Sequence, residues 1–227
     1  MENFRNHYIE RGQGQPLILL HGNGEDGSYF EHQLREFSRD HRVIAIDTRG
    51  HGKSPRGTAP FRIRQFAEDL HSFMQQQGIE KAHLLGFSDG GNIALTFALK
   101  YPAMVEKLIL NGANLYPEGV KDGVQLPIEL EYRIALMCAE HSAKAAAEAE
   151  MLGLMVNDPH IDPKELAALA VPTLVIAGDD DMIKDEHTRL IAASIPGAVL
   201  KIIHGDHFIA NACPVPFNAA VREFLAR

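Results

Sequence analysis

The sequence contains few cysteines, no basic block and no long apolar run, and each absence narrows the class of protein. Only two cysteines occur among 227 residues, Cys138 and Cys213. They form neither a metal-type spacing nor a disulfide framework, which indicates free thiols in a reducing compartment. The formal net charge is -8. Nucleic acids and anionic membranes are therefore disfavoured as partners.

No apolar stretch is long enough to span a bilayer, and the first six residues lack the apolar run of a secretory signal. We therefore expect a cytoplasmic protein with no membrane association. Composition is otherwise ordinary for a globular chain, at 45% hydrophobic and 23% charged residues. The length suits one large domain with a substantial core.

Apolar runs alternate with helical patterns along most of the chain. Continuous apolar runs predict strands buried on both faces at 16–20, 42–47, 82–85, 105–110, 172–177 and 199–203. Apolar residues at helical spacing, or good helix formers, lie between them at 28–37, 61–77, 92–99, 186–195 and 216–225. This alternation predicts an α/β fold, with a mostly parallel central sheet and helices on both of its faces.

The alternation breaks between residues 115 and 170. Helix-favouring residues dominate 130–155, and Pro127, Gly153, Pro159 and Pro163 punctuate the segment. It joins two strands but is far longer than one crossover helix, and long insertions over a sheet are often lids. We predict a core of residues 1–114 and 171–227 and a helical lid over 115–170. The alternative is a pair of ordinary packing helices.

A serine stands at an abrupt strand-to-helix turn. The stretch Gly86-Phe87-Ser88-Asp89-Gly90 follows the apolar run at 82–85 and precedes a helical pattern. This arrangement is typical of a nucleophile elbow, where flanking glycines let strand and helix approach closely. The alternative is a glycine-rich turn with an idle serine.

Polar residues follow several predicted strands directly. Because ligands bind beyond the carboxyl ends of parallel strands, these residues are candidates for one site. Along the chain a serine comes first, then a carboxylate cluster, then histidines, which is one of the known orders of triad catalysis. The residues are His21 to Gly24, Asp47 to Gly52, Ser88, Asp179 to Asp181, and His204, Asp206 and His207.

These residue types suit nucleophilic acyl transfer. A serine hydroxyl needs a neutral imidazole to take its proton during attack, and a carboxylate to orient that imidazole. Two backbone N–H groups must then hold the oxyanion. We predict that the N–H of Asp89, directly after the serine, supplies one of them. The loop after the first buried strand supplies the other, from Asn23.

Several stretches together resemble the α/β-hydrolase family over nearly the whole chain. The resemblance implies Ser88 as nucleophile, His207 as base, Asp181 as the acid, and no cofactor. It also implies a structural role for 47–54. The matching stretches are His21-Gly22-Asn23-Gly24, residues 47–54, Gly86-Phe87-Ser88-Asp89-Gly90-Gly91, residues 178–181 and Gly205-Asp206-His207-Phe208.

Other assignments compete for the same residues. Asp179 or Asp180 could supply the acid, and His204 could supply the base. The three consecutive aspartates could hold a divalent cation, but a contiguous run cannot easily surround one ion. Zinc on His204 and His207 lacks a third ligand at suitable spacing. We therefore expect no metal.

The predicted function is hydrolysis of a carboxylic ester or related acyl bond of a small molecule through an acyl-enzyme. Thioester, lactone, carbon–carbon and perhydrolase reactions share this triad. Dehalogenation and epoxide opening in the family use an aspartate nucleophile, which Ser88 argues against. The carboxylate of Asp89 could also bind a cationic group on a substrate. The alternative functions are a small-ligand sensor that signals through a protein partner, and a scaffold with an unused pocket.

Overall fold

Residues 4–227 are described by a computed structural model, and within them seven strands form one sheet. Its strand order is β1-β3-β2-β4-β5-β6-β7, with β1 antiparallel to β3 and every other pair parallel. The predicted fold class is confirmed. The strands are β1 (Tyr8–Arg11), β2 (Gln15–Leu20), β3 (His41–Ile46), β4 (Ala82–Phe87), β5 (Val105–Asn111), β6 (Thr173–Gly178) and β7 (Val199–Ile203).

Helices cover both faces of this sheet. None of those in the described part is long and apolar enough to cross a membrane. The α-helices are α1 (Glu31–Phe37), α2 (Ile63–Gln76), α3 (Asp89–Lys100), α4 (Asp122–Ala139), α5 (Ala143–Asn157), α6 (Asp185–Ser194), α7 (Ile209–Ala212) and α8 (Pro214–Leu225).

Neighbouring residues of each central strand enter different cores. In β2, Ile18 and Leu20 join the core beneath α2, α3 and α6, while Leu17 and Leu19 join the core beneath α1, α7 and α8. All four residues are essentially inaccessible to solvent. Since both faces are covered, such a strand is apolar at every position instead of alternating.

Helix α2 shows how the pattern fixes an element. Its buried residues include Phe66, Leu70 and Phe73, which recur at helical spacing. Gly78 follows the helix with a φ of +63°, and the N–H of Ile79 donates to the carbonyl of Met74 at 2.8 Å. This is a left-handed glycine cap, and it ends the helix where the sequence predicts.

The segment predicted as one helical region is a hairpin of α4 and α5, joined by residues 140–142. The side chain of Ser142 caps α5 by accepting from the N–H of Ala145 at 3.2 Å. The interpretation of Pro127 as a break is wrong, because Pro127 lies inside α4. It is the sixth residue of that helix, so its missing N–H removes one intrahelical hydrogen bond without ending the helix.

Candidate active site

Ser88 occupies a strained turn between β4 and α3. Its φ is 53° and its ψ is -121°, and it is the one non-glycine residue with positive φ in the described chain. A side chain at Gly86 would collide with the carbonyl of Gly90, and one at Gly90 would collide with the carbonyl of Leu20. The two glycines therefore allow the close approach of strand and helix that the elbow requires.

Hydrogen bonds on both sides hold this conformation. The N–H of Ser88 donates to the carbonyl of Asn111 at 2.8 Å, and its carbonyl accepts from the N–H of Asn92 at 3.1 Å. Left-handed backbone at a residue other than glycine costs about 1–3 kcal/mol and persists only where its surroundings fix it. The surroundings here include the end of β5 and the first turn of α3.

Asp181 and His207 form a buried pair beyond the ends of β6 and β7. The Nδ1 of His207 lies 2.6 Å from Oδ1 of Asp181, and their side chains are 5% and 3% exposed. The same Oδ1 accepts from the N–H of Ile183 at 2.9 Å. An ionised carboxylate only accepts, so Nδ1 carries the proton and Nε2 is left with its lone pair. This is the tautomer a general base needs.

Residues adjacent in sequence to Ser88 and to its partner Asn111 lie against the imidazole. Gly112 follows Asn111, and a Cβ at Gly112 would lie 2.7 Å from Cε1 of His207. The ring of Phe87, directly before Ser88, has its centroid 4.8 Å from that of His207. Among the described residues the Ser88 hydroxyl forms no hydrogen bond. Such bonds often tighten only once substrate is bound.

The competing residues form a separate, exposed group. The Nδ1 of His204 lies 2.9 Å from Oδ2 of Asp179, and the His204 side chain is 98% exposed. The Nζ of Lys121 lies 3.2 Å from Oδ1 of Asp180. Asp181 and His207 are thus the buried acid and imidazole among the candidates. No cluster of three metal-ligating side chains occurs within residues 4–227.

The side chains of the two predicted oxyanion donors are bonded to each other. The Nδ2 of Asn23 donates to Oδ2 of Asp89 at 3.0 Å and to the carbonyl of Met151 in α5 at 2.8 Å. The backbone N–H groups of Asn23 and Asp89 have no acceptor in the described chain. One side-chain amide therefore links the loop after β2, the elbow and the helical hairpin.

Asp89 is buried and forms no ion pair within residues 4–227. Burial raises its pKa to about 6, against the opposing effect of hydrogen bonds from Asn23 and Asn92. A cationic group of a substrate would have to share these oxygens with two amides. The hypothesis that Asp89 binds such a group stays a prediction.

Glu25 is an acidic neighbour of the site that sequence reasoning missed. Its Oε2 accepts from the N–H of Gly22 at 3.1 Å, which closes the turn that carries Asn23. Burial raises the pKa of Glu25 to about 7, and the charge interaction with His207 opposes this shift. The sequence showed that Glu25 lies in the loop after β2, but it did not show that the side chain is largely buried there.

His21 and Asp47 brace the loops around the site. The Nε2 of His21 accepts from the N–H of Thr48 at 3.0 Å, and burial lowers the His21 pKa to about 4, so the ring is neutral. Asp47 accepts from the N–H groups of Gly27 and Lys53 at 2.8 and 2.9 Å. These bonds fit the structural role expected for 47–54.

The hairpin of α4 and α5 lies against the loop after β2 and the loop after β3. Besides the Asn23 bond, Nε of Arg56 donates to Glu150 of α5 at 2.7 Å. A groove of about 670 Å³ separates the hairpin from the segment around Phe61. Ser88, Asp181 and His207 do not line this groove.

Residues 15–135, more than half of the chain, match the sequence model of the α/β hydrolase fold. The protein therefore belongs to the α/β-hydrolase family. A relative from Caulobacter sp. (strain K31), provisionally named carbamate hydrolase RutD, is 28% identical over 243 residues. The alignment covers 93% of this chain and 91% of that relative.

Solved structures show the same fold over the full length. A hydrolase from Pseudomonas aeruginosa PA01 has a TM-score of 0.82 at 25% identity, covering 100% of this chain and 99% of that one. The enol-lactonase from Burkholderia xenovorans LB400 has a TM-score of 0.84 at 22% identity, covering 100% and 98%. At 22% identity, the likeness to the enol-lactonase concerns the fold alone.

Proposed function

We propose that the protein is a serine hydrolase that cleaves a carboxylic ester or related acyl bond of a small molecule. One observation carries this proposal: the buried Asp181–His207 pair packs against Gly112, next to the residue that holds Ser88 in its strained turn. The family of the chain supports the hydrolase class.

In the first half-reaction, Nε2 of His207 takes the hydroxyl proton as Ser88 attacks the acyl carbon. Asp181 stabilises the imidazolium that forms. The N–H groups of Asn23 and Asp89 receive the oxyanion, each contributing about 3 kcal/mol to the barrier reduction. His207 then protonates the leaving group and the acyl-enzyme remains.

In the second half-reaction, His207 activates a water molecule that attacks the acyl-enzyme. The same N–H groups hold the second oxyanion, and the proton returns to Ser88 as the acid leaves. Every step uses residues of this chain, and no cofactor enters.

The residue at position 88 limits the range of reactions. Halide displacement and epoxide opening require a carboxylate nucleophile that forms an ester with the substrate carbon, and a serine at the elbow does not provide it. Esters, thioesters, lactones and carbamates all present an acyl carbon to the hydroxyl.

We place the segment 115–170 over this site as a lid, because α5 is bonded to Asn23. We also propose a cytoplasmic location, where free thiols such as that of Cys138 persist.

The test is burst kinetics with p-nitrophenyl acetate. We expect a burst of p-nitrophenol equal to the enzyme concentration, followed by slower turnover, and labelling of Ser88 by a fluorophosphonate. Ser88→Ala should abolish burst, labelling and turnover. A fully folded wild-type protein with no burst, and with no labelling, would contradict the proposal.

The sensor alternative predicts a different result from the same variants. A sensor would bind a protein partner in a ligand-dependent manner, and Ser88→Ala would retain this binding. An enzyme would lose its measured activity in Ser88→Ala. Slow turnover together with retained partner binding in Ser88→Ala would therefore favour the sensor.

A further inference from the structure

Helix α4 exposes an unusual amount of apolar side chain. Five of the seven large hydrophobic residues that are exposed in the described chain belong to this one helix. Their exposed fractions range from 48% to 80%. Scattered exposed hydrophobics are normal, but a contiguous group marks an interaction surface. The residues are Leu126, Leu130, Ile134, Leu136 and Met137.

Four of these residues form one stripe along the helix. At about 100° of rotation per residue, they fall within an arc of about 80°. We call this set the outer stripe: Leu126, Leu130, Ile134 and Met137.

The opposite face of α4 is already covered. Ala135 is buried and Tyr132 is half-buried there, and the hydroxyl of Tyr132 accepts from Asn157 of α5 at 3.0 Å. Helix α4 is therefore apolar on both faces, and such a helix is normally buried on both. The outer stripe lies on the side of α4 opposite Tyr132, and Ile134 at its edge also lines a small pocket with Ala145 and Glu148 of α5.

Charge selects the occupant of the stripe. Glu129 and Arg133 border the same edge, and neither forms an ion pair within residues 4–227. The helix carries Asp122, Glu129 and Glu131 against the single base Arg133, and the whole chain has a net charge of -8. An anionic lipid surface would be repelled, whereas a surface that presents a base to Glu129 and an acid to Arg133 would be attracted.

Helix α4 of a second copy of this chain fits the outer stripe and the edge that carries Glu129 and Arg133. In an antiparallel pair centred between residues 131 and 132, Leu126 faces Met137, and Leu130 faces Ile134. Glu129 then faces Arg133 of the other copy, and two-fold symmetry produces each contact twice. We propose that the outer stripe is the interface of a homodimer, in which α4 packs antiparallel against its counterpart. This proposal does not depend on the proposed function.

The first test is the mass in solution, measured by light scattering over a wide range of protein concentration. Wild type should approach twice 25.1 kDa as the concentration rises. Leu130→Glu should remain monomeric. Val215→Glu is the matched control, because Val215 is a 79% exposed hydrophobic residue on α8. It should dimerise like wild type, and circular dichroism should show all three proteins folded.

The second test exchanges the two charges. Glu129→Arg and Arg133→Glu each place like charges across the two-fold axis, and each should weaken dimerisation about tenfold. The double variant restores opposite charges at both positions and should recover wild-type dimerisation. A double variant weaker than both single variants would refute this register.

The third test distinguishes antiparallel from parallel pairing. In a Cys138→Ser, Cys213→Ser background, Leu126→Cys should not cross-link to itself, since the two copies lie about 17 Å apart along the helix axis. Adding Met137→Cys should give an efficient disulfide dimer. Efficient cross-linking of Leu126→Cys alone would overturn the antiparallel arrangement.

Two further results would overturn the interface itself. One is a wild-type protein that stays monomeric at every concentration. The other is a monomer that binds phosphatidylcholine vesicles and loses this binding in Leu130→Glu, because the stripe would then dock on a lipid surface.

Discussion

Two aspartate–histidine pairs stand side by side at the end of the sheet, one exposed to solvent and the other buried. Asp179 pairs with His204 at 2.9 Å, and Asp181 pairs with His207 at 2.6 Å. The exposed side-chain fractions of the first pair are 49% and 98%, and those of the second are 3% and 5%. The residue types and sequence separations are nearly the same, so their surroundings make the difference.

Those surroundings decide what each carboxylate can do. Water competes for the oxygens of Asp179 and screens its charge, so the pair with His204 is weak and loosely oriented. Asp181 has one oxygen fixed by His207 and Ile183, and protein surrounds the imidazole. A fixed tautomer and a carboxylate charge that water does not screen are the properties that a base for Ser88 requires.

The largest contrast should come from removing each acid. We expect Asp181→Asn to lower kcat about 10⁴-fold, because the amide no longer favours the tautomer with a free Nε2. Asp179→Asn should leave kcat within about twofold, since surface pairs of this kind contribute little. The measurement is kcat on the best ester substrate. Equal losses in both variants would contradict the assignment of Asp181.

A second contrast comes from two glycines with left-handed backbone. Gly112 has a φ of +60° and contacts the ring of His207, whereas Gly197 has a φ of +71° and has no atom near its Cβ position. Alanine at either site costs about 1 kcal/mol of backbone strain. Only Gly112→Ala should also displace the imidazole and lower kcat by about 10²-fold.

Chemical denaturation and kcat together separate these effects. Gly112→Ala should lose more free energy of unfolding than Gly197→Ala, because it adds the collision with His207 to the same backbone strain. If Gly197→Ala lost as much activity as Gly112→Ala, backbone strain alone would explain both results.

A third, smaller effect concerns Glu25 and pH. Its pKa is raised to about 7, and its ionised form stabilises an imidazolium at His207. The kcat/KM of wild type should therefore rise through an inflection near pH 7, and Glu25→Gln should reduce the height of this rise, with kcat/KM up to about tenfold below wild type above pH 7. Asp179→Asn should keep the inflection.

The raised pKa of Glu25 also makes the free energy of unfolding depend on pH. The pKa of Glu25 is raised from its ordinary 4.5 to about 7, so the folded protein binds a proton that the unfolded chain has released. The free energy of unfolding should fall as pH rises through this interval, and Glu25→Gln should remove that fall. An unchanged slope would mean that Glu25 is solvated in the folded state.

The smallest effect belongs to the exposed pair. The hydrogen bond that His204 donates to Asp179, followed by the negative charge of Asp179, raises the pKa of His204 above the ordinary 6.5. Titration of the imidazole by NMR should show this pKa returning to the ordinary value in Asp179→Asn. High salt should shift the wild-type pKa in the same direction, because the pair is solvated. No measurable change in activity should accompany either shift.

Local signals in the sequence predicted the strands and helices. They also marked the residues of both aspartate–histidine pairs as candidates for the active site. Continuous apolar runs revealed the strands, and Gly86 and Gly90 revealed the elbow because a tight turn needs them. Positions directly after the strands then placed the serine, the aspartates and the histidines at one edge of the sheet, and the family resemblance singled out Asp181 and His207. Their surroundings were not predictable in this way. Gly112 looked only like the end of a strand, since its contact with His207 joins residues far apart in the chain.

Helix α4 was harder to predict for a different reason. A helix that is apolar on both faces has the same composition whether its second face is buried or exposed. Pro127 added to the difficulty, because proline usually marks a helix boundary and here lies inside α4.

Asn23 couples the helical hairpin to the elbow. One amide group bonds both to α5 and to the side chain of Asp89, directly after Ser88, so α5 cannot move away without breaking a bond to the loop after β2. If this loop supplies an oxyanion donor, as we propose, a compact substrate would leave the donor in place. A bulky substrate that pushes α5 aside would displace the donor, and its size would then affect turnover as well as binding.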